Sequence, residues 1–252
     1  MKKRHQGVFN PEHPAPYELS RSRVENYLKC KACFWLQQLG GAEPHKIPNF
    51  TINTTTDILL KRDADAVRGK KSLPLWEAHG LGHLIPFEHE DLENWTNSLQ
   101  YGLNDRYFNT IHEETNIKFG GGLDDVWENI ETGELHIVDY KSTAQMRKEP
   151  KPLDETFIAP PEDPKEPDYK AGYRRQMEMY QWIARRKGFT VSNIGYFVYV
   201  DGQHVGETGM LDQNDPATAW MRFNTAVIPY EGNDDWVEAA LYKAKEVVQM
   251  TD

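Results

Sequence analysis

Leu135-His136-Ile137-Val138-Asp139-Tyr140-Lys141 is the stretch on which the fold turns. An apolar run of this length, rich in β-branched residues, reads as a buried strand. Strand side chains alternate faces, so Asp139 and Lys141 share one face and Tyr140 takes the other. Upstream, Glu131-Thr132-Gly133-Glu134 is a turn signal, and Gly120-Gly121-Gly122-Leu123-Asp124-Asp125-Val126-Trp127 precedes it. A hairpin over that turn brings Asp124 beside Asp139. Two carboxylates with a lysine on adjacent strands make a hard-cation site, which suits metal-assisted hydrolysis of a phosphodiester. A lone Asp-x-Lys is more often a solvated strand end. The buried run, the upstream Gly-Gly-Leu-Asp segment and a downstream Gln-x-x-x-Tyr weigh against that reading here. Asp125 competes with Asp124, but alternation sends it to the opposite face.

The pattern continues on both sides. Residues 1–18 hold three prolines without periodicity and read as a flexible N-terminal arm, leaving 19–252 as one domain. Ser20 or Ser22 can cap a helix that runs to Gly40, and a second helix fits residues 54–68. Residues 71–89 read as irregular, followed by a short helix over 90–99. Residues 107–113, 117–127 and 134–140 read as a three-stranded meander. The Pro-rich stretch 148–168, with six prolines, reads as irregular. A helix over 169–187 carries the stripe Tyr173, Met177, Tyr180, Ala184. Strands over 193–200 and 220–229 and a helix over 234–249 complete the chain.

Composition narrows the class. The 252 residues are 38% hydrophobic and 12% aromatic, enough for a core, and the net charge of −10 argues against a passive nucleic-acid coat. No run approaches a membrane span, and no apolar segment follows the basic start, so the chain is expected to be cytoplasmic with no membrane partner. Cys30 and Cys33 are the only cysteines. With no second pair, they are expected to be reduced core residues on a helix, holding neither zinc nor iron. His79-Gly80-Leu81-Gly82-His83 lacks the glutamate of a zinc helix, so no zinc is expected there either.

Gly122-Leu123-Asp124-Asp125-Val126, Ile137-Val138-Asp139-Tyr140-Lys141-Ser142-Thr143 and Gln176-Met177-Glu178-Met179-Tyr180 together resemble the PD-(D/E)XK nuclease superfamily. The RecB-type branch with its QxxxY motif is the nearest likeness, and Leu19-Ser20-Arg21-Ser22-Arg23 through Phe34-Trp35-Leu36 resembles its opening helix. The resemblance spans about residues 19–200. It implies an α/β, restriction-endonuclease-like αβββαβ core, with a mixed central sheet flanked by helices. It implies Mg²⁺ or Mn²⁺ on Asp124 and Asp139, joined by the backbone carbonyl of Tyr140. It further implies Lys141 as the charge partner of the reaction, with Gln176 and Tyr180 beside the site. The branch's iron–sulfur cluster needs cysteines after Cys33, and this chain has none. The family's first motif is not evident. Asp57 is the acid offered for it, although a first-turn Asp is also favoured by the helix dipole alone. Arg174, Arg175 and Lys170, with Ser142 and Thr143, are candidates for nucleic-acid phosphates. The function implied is a divalent-metal-dependent DNA nuclease of exonuclease type, acting in DNA repair, recombination or phage and mobile-element DNA processing. Its partners would be DNA and a helicase or another recombination or phage protein. The rival is a catalytically inactive nucleic-acid-binding or assembly module that retains the fold.

Overall fold

Strand β6 (Leu135–Thr143) is the spine of the molecule, because it is buried on both faces over its first six residues. Leu135 and Ile137 point into the main core, and Val138 and Tyr140 into a second core on the other side of the sheet. The computed structural model that shows this describes residues 4–42, 50–98, 103–146 and 148–250. β5 (Asp125–Asn129) pairs antiparallel with β6, and β7 (Ile194–Gly202) pairs parallel with it on the other side. β2 (Leu84–Pro86) closes one edge against β5, and β8 (Phe223–Glu231) the other against β7, giving the order β2-β5-β6-β7-β8. A second sheet of three strands has the order β1-β4-β3, from Tyr17–Ser20, Ile117–Gly120 and Asn109–His112.

Helices cover both faces of the five-stranded sheet. α7 (Ala171–Arg186) crosses between β6 and β7 and buries Met177, Met179, Tyr180, Ile183 and Ala184 in the main core. α1 (Arg21–Lys29), α2 (Lys31–Gln38) and α8 (Asp235–Gln249) pack on the same side, contributing Val24, Phe34 and Leu241. On the opposite face, Trp76 of α4 (Pro74–Ala78) meets Trp127 of β5 with ring centroids 3.9 Å apart. α3 (Thr51–Val67) lies against β6 and β2. The short helices α5 (Leu92–Thr96) and α6 (Glu155–Ile158) complete the set among the described residues. The result is the mixed sheet flanked by helices that the resemblance implied. Its αβββαβ core is α3, β2, β5, β6, α7 and β7.

Several expectations are corrected by this arrangement. The three-stranded meander does not form: β3 and β4 pair with each other in the smaller sheet, while the strand beside β5 is β2, inside the stretch expected to be irregular. Gly121–Asp124 interrupts the run that would have joined β4 to β5. The helix expected up to Gly40 breaks at Cys30, whose extended backbone ends α1 and caps α2. Cys30 and Cys33 are not core residues. They are joined as a disulfide across the first turn of α2, half-buried and exposed respectively. The extended Cys30 backbone brings the two Cα atoms to 5.3 Å, within disulfide reach, and leaves neither sulfur free as a metal ligand. The arm is packed where it is described: His5, Phe9 and Tyr17 are buried, and the Tyr17 hydroxyl donates to the carbonyl of Gly7 at 2.6 Å. The Pro-rich stretch holds α6 and buries Ile158 in the main core. Among the described residues no helix is long and apolar enough to cross a membrane.

Candidate active site

The β5–β6 register, Asp125 opposite Val138, sets Asp124 level with Asp139. Asp124 Oδ2 accepts the Tyr140 backbone N–H at 3.0 Å, which holds its carboxylate against β6. Asp139 is 1% exposed, and its Oδ1 accepts from Gln176 Nε2 at 2.9 Å. Asp139 Oδ2 forms an ion pair with the Lys141 ammonium but accepts no hydrogen bond of normal geometry. Lys141 Nζ also lies 3.4 Å from the Tyr140 carbonyl oxygen. Tyr140 turns its side chain to the other face, where its hydroxyl donates to Asp125 Oδ2 at 2.8 Å and Arg68 Nη1 donates to Asp125 Oδ1 at 2.9 Å. Asp125 is thus sealed behind the sheet, and Asp124 faces Asp139.

These charges shape one another. Burial pushes the Asp139 carboxyl up to about 7; Lys141 opposes that rise and Asp124 adds to it. Burial also works against ionised Asp124, but Lys141 and Lys61, together with the bonds from Asp139 and the Tyr140 N–H, hold that carboxyl below its ordinary range. The two carboxyls are pushed apart, Asp139 upward and Asp124 downward, so Asp139 is the one that holds a proton more readily. A divalent cation fits the same place. The donors are hard oxygens, and the buried Oδ2 of Asp139 has only the Lys141 ammonium against it. The Tyr140 carbonyl is the backbone oxygen nearest to hand.

α3 supplies a part of the site that the sequence only half revealed. Asp57 is there, raised by burial and by the Asp124 charge, with Lys61 opposing. Lys61 Nζ lies 3.0 Å from Asp57 Oδ2 and 3.6 Å from Asp124 Oδ1, so it bridges the two acids. In the sequence, Asp57 and Lys61 look like an ordinary i,i+4 helix-surface pair, and only that spacing could have drawn attention to Lys61. The Ser142 hydroxyl shares a hydrogen bond with Thr56 of α3. Thr143 is half-buried at the end of β6, opposite Asp201 of β7.

α7 supplies the other wall. One helical turn beyond Gln176, Tyr180 is 2% exposed; burial pushes its hydroxyl's pKa up, and the Arg21 guanidinium of α1 opposes that rise. Arg21 is a second residue the sequence reading missed: its Nε is buried without a partner, and its charge acts on Asp139. Gly121 makes this wall possible, since a Cβ there would stand 2.8 Å from the Tyr180 hydroxyl and 2.7 Å from its ring. Gly121→Ala is therefore expected to displace Tyr180 and Arg21 and to lower cleavage on the order of 10²-fold, as misplaced site groups do. Circular dichroism should show the fold retained. Unchanged cleavage would mean that the position of Tyr180 does not matter.

Arg174 and Arg175, candidates for phosphate contacts, are each paired with an acid of the chain. Arg174 is buried, pairs with Asp168 and donates to the Ile158 carbonyl at 2.5 Å. Arg175 grips Glu25 of α1 through two bonds of 2.9 and 2.6 Å. Both arginines meet acids brought close by the fold, Glu25 buried and Asp168 partly exposed.

The model of the PD-(D/E)XK nuclease superfamily matches residues 18–249 of this chain. No curated protein matches it.

Proposed function

We propose, from the premise that this chain belongs to the PD-(D/E)XK nuclease superfamily, that it is a DNA nuclease of exonuclease type using Mg²⁺ or Mn²⁺. Members of the superfamily are usually metal-dependent nucleases, and the nuclease fold implies a DNA substrate. The observation that carries the reading is the meeting of Asp124, just before β5, with Asp139 of β6, and the Lys141 ammonium against Asp139. Asp124, Asp139 and the Tyr140 carbonyl would hold the metal, which would acidify the attacking water and neutralise the scissile phosphate. The chain's own groups do the rest. Lys141 offers its charge to the phosphoryl oxygens as negative charge develops there. Gln176 fixes the plane of the Asp139 carboxylate. Tyr180 orients Arg21, whose partnerless Nε adds a second donor on that side. Asp57 and Lys61 set the potential around Asp124. Residues 19–252 are read as one nuclease domain, with 148–168 inserted between β6 and α7.

Gln176 and Tyr180 at QxxxY spacing support the RecB-type branch, and with it a place in repair, recombination or phage DNA processing beside a helicase-like partner. The rival, an inactive nucleic-acid-binding or assembly module, draws on Lys61, whose ammonium already lies between Asp57 and Asp124. Purified protein with Mg²⁺ or Mn²⁺ should be given end-labelled linear DNA and covalently closed circles. Loss of the linear substrate with survival of the circles is the expected result. Binding without cleavage of either substrate in both metals would replace the proposal with the rival.

A further inference from the structure

Lys170, at the edge of this site, forms no ion pair among the described residues. It sits just before α7, half-buried, with its ammonium 4.4 Å from the centroid of Phe157 and 5.3 Å from those of Tyr173 and Tyr199. Its ammonium donates to the Tyr199 hydroxyl at 3.3 Å, and its backbone N–H to Asp168 Oδ1 at 3.2 Å. Lys141 reaches the same Tyr173 ring, 4.9 Å from the centroid, so two ammoniums address one aromatic side chain. Burial and then the Lys141 charge push the Lys170 pKa down. Aromatic faces offset part of the cost of burying a cation so placed but do not replace an anion.

The space beside Lys170 is a cavity of about 900 Å³ under the Pro-rich strap. Gln145, Lys151, Phe157, Tyr169 and Lys170 line it, with Pro160 and Pro161 in its wall. The strap is pinned rather than loose. Gln145 exchanges two hydrogen bonds with the Lys151 backbone, at 2.9 and 3.0 Å, and Arg174 ties down Ile158 and Asp168. Glu162, Asp163, Glu166 and Asp168 make the outer wall acidic. Such a wall repels a duplex, which brings two phosphate backbones, more than a single strand that brings one. Phe157 and Tyr169 offer the flat faces on which unpaired bases stack.

We propose that Lys170 and the cavity under the strap hold the phosphate and nucleotide adjoining the scissile one, so that the site takes single-stranded DNA in preference to duplex. This inference rests on the nuclease reading above. The test is fluorescence anisotropy across a salt series with a labelled single-stranded oligonucleotide and a blunt duplex. The protein is full-length Asp139→Asn, with or without Lys170→Met. Lys170→Met is expected to weaken single-strand binding at least tenfold, the effect of losing one charged hydrogen bond. It should also reduce the salt slope by about 0.7, the share of one phosphate on a single strand. Lys170→Arg should restore both, and Lys170→Gln repeats the comparison if methionine lowers the melting temperature. Unchanged affinity and slope in the charge-removing variants, or duplex bound as tightly as single strand, would overturn the proposal. The nuclease reading fails separately, if the protein with Asp139 intact cleaves neither substrate in Mg²⁺ or Mn²⁺.

Discussion

Asp139→Asn is expected to abolish cleavage and, in metal-free buffer, to raise the melting temperature of the protein. Asp139 is nearly inaccessible to water, and its carboxyl is pushed up to about 7 by burial, Lys141 opposing and Asp124 adding to the rise. The folded chain therefore binds this proton more tightly than the unfolded chain. The stability that the proton confers is complete below the unfolded carboxyl's pKa, about 4, and is lost as pH rises to about 7, at about 1.4 kcal/mol per pH unit. Asparagine mimics the protonated form and keeps an acceptor for Gln176. The gap in melting temperature between variant and parent should then open between about pH 4 and pH 7 and hold above it. Mg²⁺ or Mn²⁺ should close the gap by stabilising only the parent, through binding to its folded state. Thermal unfolding in chelator at several pH values, repeated with metal, measures this. Residual full cleavage, or a gap that does not change with pH, would remove Asp139 from the metal site. A residue that destabilises its own fold and is needed for cleavage is the trade expected at an active site.

Lys141→Ala is expected to lower turnover on the order of 10²-fold or more, while the metal still binds. Lys141 is not a carboxylate's ordinary surface partner. It is mostly buried, lies against Asp139 and opposes the burial that raises the Asp139 carboxyl. Without it, Asp139 should hold its proton to higher pH, and the pH at which Mn²⁺ begins to bind should move upward. Single-turnover cleavage gives the first quantity and calorimetric titration of Mn²⁺ the second. A variant that binds metal along the parent's pH profile and cleaves at the parent's rate would show that Lys141 is only a structural counter-ion.

What the sequence determined by itself is the part governed by local periodicity. The two-residue alternation of Leu135–Lys141 places Asp139 and Lys141 together and Tyr140 apart, and the turn at 131–134 fixes the hairpin that delivers Asp124. The stripe on α7 brings Gln176 and Tyr180 to one face, as 3.6 residues per turn requires. The tertiary structure alone decided the pairings between distant segments. β2 has three residues and a proline, too short for a period to show, and it becomes a core strand only because β5 presents an edge to it. Arg174 and Arg175 read as free cations until Asp168 and Glu25 arrive beside them. Lys61 and Arg21 look like helix-surface residues until α3 and α1 are laid against the hairpin and α7. A side chain's face follows from its own neighbours in the chain. Its charge partner is whichever group the packing of the whole chain leaves nearest in low dielectric, and no local pattern encodes that.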